Sequence, residues 1–548
     1  MNADAVWFNG NVLTMDSVRP QAQAIAVAQG RILAVGSDAE VLACAGAHTV
    51  RHDLHGQALM PGLIDTHAHG VWGALRDLFE VYVGLSSSMP ELLEALAQRA
   101  RSLPPGQWIS GGPWHASWLL DPKERPSHIL DRVCPDHPVA LRDVTYHTAW
   151  LNTAGLRACG ITRDTHDPDG GRIGRDPTCG EPDGILYETA QNLVRRHILP
   201  TPEQCRQAVT HMVGYFHSLG LTGFKEAMAT DVELTAYQQA DCEGHLNLHV
   251  AAHLALNSLN AEAHTPMATL LDWRQRFTST HVHTNFIKIF LDGVAPTLTA
   301  SFLEPYLPQP GCPSASHDPD ALLAITPAVL AALVTDLDRQ GFVVKMHAVG
   351  DRAARAGLDA VAAARQANGP SGLRHEIGHT AFVSEADHPR FASLGMVADM
   401  SPRLWFPNPV TDGQDRVLGL MRRNRCHQIR SLMEAGAELT YGSDWPAAAA
   451  DANPWAGLAG MLTRRNPFGL FPGYVGKEQS ITLMQALPLY TTNAARAMGL
   501  AHVTGALRPG LSADFIRLTT QLSQLTPEKI ATMQVLETWF EGRCVFQN

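Results

Sequence analysis

The segment PGLIDTHAHG, residues 61–70, sets His67 and His69 one residue apart at the end of a short apolar run. On an extended strand alternate side chains share a face, so Asp65, His67 and His69 point together. Two neutral imidazoles on one face can chelate a divalent cation. With 26 histidines in 548 residues, about one His-x-His arises by chance, and His281-Val-His283 is a second instance. The pair therefore gains meaning from its companions: His347 in KMHAVGD, His379 in RHEIGHT, Asp444 in YGSDWP and Lys288 in NFIKIFLDG. Lys288 shares a strand face with Phe286 and Phe290, and an isolated ammonium is costly to bury there. Two readings are open for it. One is an ion pair with Asp292 or Glu226. The other is a carbamate, formed with carbon dioxide, whose two oxygens bridge two metals.

The elements that must position these groups alternate along the middle of the chain. Strand-like runs lie at 62–69, 221–228, 245–254, 285–293, 341–350, 372–380, 395–402 and 438–446. Helical patterns lie between several of them, and those at 201–220 and 326–341 open with Thr-Pro as cap and first turn. Eight such strands predict an α/β fold, a (β/α)8 TIM barrel, whose active site forms at the carboxyl ends of the strands. His67 and His69 close the first strand, His347 the fifth, His379 the sixth and Asp444 the eighth. The His281-Val-His283 pair precedes a strand, which predicts the opposite face and the surface.

Both ends read as short strands broken by turns, so residues 1–60 and 485–548 are expected to build a composite β-sandwich around a barrel at 61–484. The long stretch at about 70–215 is too large for a barrel loop and predicts an inserted subdomain over the barrel mouth that shapes substrate choice.

A hydrophobic fraction of 45% and a charged fraction of 17% fit a soluble globular enzyme. The net charge of −11 and the lack of a dense Lys/Arg run argue against nucleic acid or an anionic membrane as partner. Nine cysteines without a CxxC pair argue against a disulfide framework and a thiolate zinc site. Neither a signal peptide nor a long apolar run is evident, and the expected location is the cytoplasm. A homodimer stays open.

Taken together, PGLIDTHAH, WISGGPWH, NFIKIFLDG, KMHAVGDRA, RHEIGHT, YGSDWP, LYTTNAARAMGL and GALRPGLSADFIRL resemble successive motifs of the amidohydrolase superfamily. The likeness is to its Amidohydrolase-3 branch, which includes N-substituted formamide deformylase. The resemblance implies that His67, His69 and Asp444 hold one divalent metal, most simply zinc. It implies that His347 and His379 hold a second, with carboxylated Lys288 between them. One or two metals per chain follow. Gly378 stands where relatives commonly carry an acidic residue, and His115 where many carry Asp.

The chemistry implied is hydrolysis of a non-peptide C–N bond in a small amide, formamide or cyclic amide. Asp444 acts as general base, and His347 or His379 serves as oxyanion donor if one metal binds. Trp114, His115, His147, Asp292 and Trp445 are the candidate substrate contacts. Two alternatives remain: a metal-dependent deaminase, and a non-catalytic regulatory protein on the same fold. The first is disfavoured because HAVGD offers only Asp351 and Arg352 where deaminases place a Glu.

Overall fold

A computed structural model describes residues 2–84, 87–119, 124–143, 148–257, 264–308, 318–447 and 449–548. Eight parallel strands form the central sheet in chain order. They are β1 Leu63–Ala68, β2 Leu221–Ala229, β3 His249–Ala255 and β4 Val282–Phe290, then β5 Val343–Ala348, β6 Glu376–His379, β7 Val397–Met400 and β8 Glu438–Tyr441. Helices follow the strands, and the sheet curls into a (β/α)8 barrel. The Thr-Pro openings do start helices, at Pro202–Ser218 and Pro327–Arg339.

The barrel closes through the motif residues themselves. Thr66 Oγ1 donates to the Tyr441 carbonyl (2.7 Å), the Asp444 N–H to the His67 carbonyl (2.7 Å) and the His69 N–H to the Trp445 carbonyl (2.7 Å). Asp65 Oδ1 accepts from the Ser443 N–H at 3.1 Å. Gly442 is demanded by this seam, because a Cβ there would fall 2.3 Å from His67 Cβ. The order Gly-Ser-Asp thus lets β8 come close enough to β1 to deliver Asp444 beside the histidine pair.

The chain ends build two further sheets. Ala3–Phe8, Ala24–Ala28, Arg31–Gly36 and Ala45–Asp53 make one of four strands. Asn11–Leu13, Gln21–Ala22 and Ala58–Pro61 join Phe515–Leu518, Val535–Phe540 and Arg543–Gln547 in one of six. Trp7, Ile25, Val27, Leu59 and Phe515 share one apolar core between them.

Residues Val71–Ala208 form a second compact unit. It has its own six-stranded sheet, from Val81–Tyr82 through Pro182–Glu188 to Gly171–Arg175. Its core packs Leu92, Leu96, Leu130, Leu141, Trp114 and Trp150. Trp114 is only 2% exposed, donates its indole N–H to the Leu141 carbonyl (3.2 Å) and meets Trp150 edge-on. Trp114→Ala is therefore expected to destabilise this unit by about 3–5 kcal/mol. An earlier unfolding transition in urea, with metal content unchanged, is the expected result. An unaltered transition would deny the packing role.

The His281-Val-His283 pair sits at the amino end of β4, opposite the strand's carboxyl end as expected, but the rest of that expectation is corrected. β4 begins at Val282, because Val282 and Thr284 are β-branched, buried and alternate inward. His281 is not a surface group: its Nδ1 lies 2.6 Å from Asp241 and its Nε2 3.3 Å from Glu541, with the rings of His249 and Phe540 alongside. Burial opposes its charge, but the hydrogen bonds to Asp241 and Glu541 lift its pKa to about 9. Asp241 falls to about 2, its hydrogen bonds from His281 and Ser279 overcoming its burial.

Stability from the raised imidazole is complete below its unfolded value of about 6.5 and is lost as pH rises toward 9. Stability from Asp241 is complete above about 4 and is lost as pH falls toward 2. The melting temperature of the natural protein should therefore drop more between pH 6 and about 9 than that of His281→Gln. Parallel declines would show that the pair contributes nothing.

Candidate metal centre

β1 carries His67 within the strand and His69 just beyond it, both buried. His67 Nε2 lies 3.7 Å and His69 Nε2 3.4 Å from Asp444 Oδ1. Ligand atoms of the three residues all fall within 4.8 Å of one another, as the donors around one ion must. Behind the ligand atoms stand carboxylates. His67 Nδ1 donates to Asp399 Oδ2 at 2.6 Å, and Glu226 Oε1 lies 3.6 Å from His69 Nδ1.

The pairing of β5 with its neighbours sets His347 opposite Phe290 on β4 and Gly378 on β6. Gly378 faces inward: a Cβ there would come within 3.3 Å of Lys345 Cγ and 3.5 Å of His67 Cε1. An acidic side chain at that position would press on both. Strict alternation would then send His379 outward, but its backbone turns left-handed (φ 72°) at the strand end. Its ring comes to 4.4 Å from that of His347 and 4.7 Å from that of His67, centroid to centroid. Asp444 is also left-handed (φ 56°). Such conformations cost about 1–3 kcal/mol each and concentrate where function requires them.

Burial, with the Lys288 amine next in effect, holds the His67 imidazole well below its ordinary pKa. Burial likewise takes His347 down to about 3 and His379 well below the usual range. All three are neutral and available as ligands. His69 behaves differently: hydrogen bonds to Asp444 and Glu226 outweigh burial and raise it to about 9. A cation between His69 and Asp444 would take the place of that proton.

His347 Nε2 donates to the Gly293 carbonyl (3.2 Å), while its Nδ1 is buried without a hydrogen-bond partner. A bare, buried imidazole nitrogen is what a metal requires, so the donor set fits a divalent ion.

Lys288 is 1% exposed, its Nζ 3.5 Å from His67 Nε2 and 4.9 Å above the Phe290 ring. Among the described residues it makes no ion pair. Asp292 instead accepts the N–H groups of Ser301, Val349 and Gly350 (2.9, 3.0 and 2.9 Å). Glu226 accepts from the Gly70 N–H (2.9 Å) and the Tyr237 hydroxyl (2.5 Å). Burial, reinforced by Lys345, brings the Lys288 amine down to about 7.

The sequence model of the Amidohydrolase family matches residues 52–546, nearly the whole chain. The chain belongs to the amidohydrolase family. This amidohydrolase is 28% identical to the N-substituted formamide deformylase of Arthrobacter pascens, over 98% of this chain and 97% of that one. It is 29% identical to Protein LONG AFTER FAR-RED 3 of Arabidopsis thaliana, over 99% of this chain and 92% of that protein. In fold it is similar to an uncharacterized metal-dependent hydrolase from Pyrococcus horikoshii OT3. That match has a TM-score of 0.74 and 21% identity, and covers 95% of this chain and 99% of that one.

The candidate substrate contacts fare less well in this amidohydrolase. Trp114 belongs to the core of the Val71–Ala208 unit, which gives it a packing role. Trp445 is fully buried against Tyr215 and Phe216, so it shapes the end of β8 from behind. Asp292 spends both oxygens on backbone N–H groups and latches the loop after β4 to the end of β5. His115 is half-buried with its ring 5.3 Å from Trp118, within the same unit as Trp114. His147 lies outside the described residues.

Four groups escaped the sequence reading. Lys225 pairs with Glu376, and Lys345 Nζ lies 3.1 Å from Glu376 Oε2 and 2.9 Å from Asp399 Oδ2, all fully buried. The signal was present, since each is a charged residue inside a buried barrel strand and such charges demand partners.

Proposed function

We propose that this amidohydrolase uses one or two divalent ions, zinc foremost, to hydrolyse a non-peptide C–N bond in a small amide, formamide or cyclic amide. The convergence of His67, His69 and Asp444 at the barrel mouth carries the reading. When bound, a divalent ion would lower the pKa of its water toward ~7 and polarise the carbonyl under attack. Asp444 takes a proton through its carboxylate and returns it to the departing nitrogen. His69, held between Asp444 and Glu226, and His67, held by Asp399, keep that carboxylate in register.

The tautomers favour two ions over one. His347 donates through Nε2 to Gly293, and His379 Nδ1 faces the Ser401 carbonyl at 3.2 Å. Each ring therefore presents its other nitrogen bare, as a ligand rather than an oxyanion donor. Lys288, with no carboxylate partner among the described residues and its Nζ beside His67 Nε2, suits a carbamate joining the two positions. The amine adds to carbon dioxide and the released proton leaves to solvent.

Deamination finds less support. Asp351 Oδ1 accepts the Leu303 N–H (2.8 Å) and Arg352 pairs with Asp320 (2.6 Å), so both residues after the fifth-strand motif serve loop structure. A screen of N-formyl, N-acyl and cyclic amides with metal-loaded protein tests the proposal. Chelator-sensitive hydrolysis of one class is expected. Fully loaded protein that hydrolyses none of them while deaminating a ring amine would overturn it.

A further inference from the structure

Asp399 is fully buried on β7 and gathers groups from three other strands. Its Oδ2 accepts from His67 Nδ1 (2.6 Å) on β1 and from Lys345 Nζ (2.9 Å) on β5. Its Oδ1 lies 3.0 Å from Thr66 Oγ1 and 3.4 Å from Thr440 Oγ1, the latter on β8. Such a carboxylate cannot swing. The ring it holds is fixed with it, because among the described residues His67 Nδ1 is bonded to Asp399 and faces the Ser401 hydroxyl at 3.0 Å. Lys345 also donates to the Thr66 carbonyl (2.6 Å) and faces Glu376, so the amine ties β1, β6 and β7 together beneath the site. With Lys225 paired to Glu376, two ammonium groups balance two carboxylates there.

We infer that Asp399 is a positioning residue for the metal: by accepting the Nδ1–H of His67 it fixes the tautomer and ring orientation that present Nε2 toward Asp444. The inference rests on the metal reading above and extends it to a residue that touches no reacting atom. Carboxylates placed behind a ligating imidazole in this way govern both ligand geometry and affinity. The Lys345 counter-charge allows a full carboxylate to sit there without an uncompensated buried charge.

The test measures zinc affinity by chelator competition and the visible spectrum of the cobalt-substituted protein. Zinc binding by the natural protein is established first, since its absence would overturn the metal reading and this inference together. Asp399→Ala is expected to lose about 10–100-fold in zinc affinity and to change the cobalt spectrum. Asp399→Asn, which keeps an acceptor for the Nδ1–H, should recover most of the affinity. Asp399→Ala leaves two ammonium groups facing the one carboxylate of Glu376, so the charge-balanced pair Asp399→Leu with Lys345→Met is measured beside it and should show the same loss.

Glu376→Gln serves as control. It disturbs the same charge network away from the ligands and should lower thermal stability while leaving affinity and spectrum unchanged. Natural affinity and spectrum in the Asp399 variants, or an equal loss in Glu376→Gln, would overturn the inference while leaving the metal reading standing.

Discussion

Asp444→Asn should lower turnover by about a hundredfold or more while the fold is retained, the scale of a lost general acid–base. The substitution is clean on structural grounds. Asp444 occupies a left-handed conformation that Asn adopts readily, and its backbone N–H, which bonds to the His67 carbonyl, is unchanged. The variant removes the proton-accepting oxygen and weakens one ligand, so metal content is determined on the same sample. A turnover loss at full occupancy assigns the effect to proton transfer. Near-normal turnover at full occupancy would remove Asp444 from that role.

Lys288→Met should lose at least one metal equivalent and most activity. Methionine preserves the volume of the stem beside Phe290 and removes only the amine, so packing changes little. Lys288→Ala, which opens the space that methionine fills, should lose the same metal and regain part of the activity with short carboxylic acids that supply the missing bridge. Bicarbonate should activate protein prepared without carbon dioxide, and ¹³C-labelled bicarbonate should give a carbamate resonance. A variant that keeps all its metal, beside a natural protein indifferent to bicarbonate, would leave Lys288 an unmodified amine at a single-metal site.

The histidines and Asp444 were legible because strand ends in a barrel converge, so residues far apart in sequence share one mouth once the alternation of strands and helices is read. What stayed hidden depended on local detail. His379 reaches the site through a left-handed turn that no periodicity signals. Trp114 and Trp445 looked like pocket residues because large aromatics serve pockets and cores alike, and only their burial separates the two. Asp292 reads in the sequence as a substrate contact or a partner for Lys288, but three backbone N–H groups occupy its oxygens. Asp399, Lys345, Glu376 and Lys225 each carry the signal that Lys288 carries, a charge inside a buried strand that needs a partner. Their meaning lies in the pairing of β5, β6 and β7, which the sequence does not spell out.

The most direct test is the metal content of the natural protein beside that of His67→Ala with His69→Ala, each purified without chelator and assayed on the responsive amide. The natural protein should carry at least one tightly held divalent ion per chain, lose hydrolysis when stripped and regain it on reloading. The double variant should lose that ion and the activity with it. Undiminished hydrolysis by metal-free protein would contradict the account.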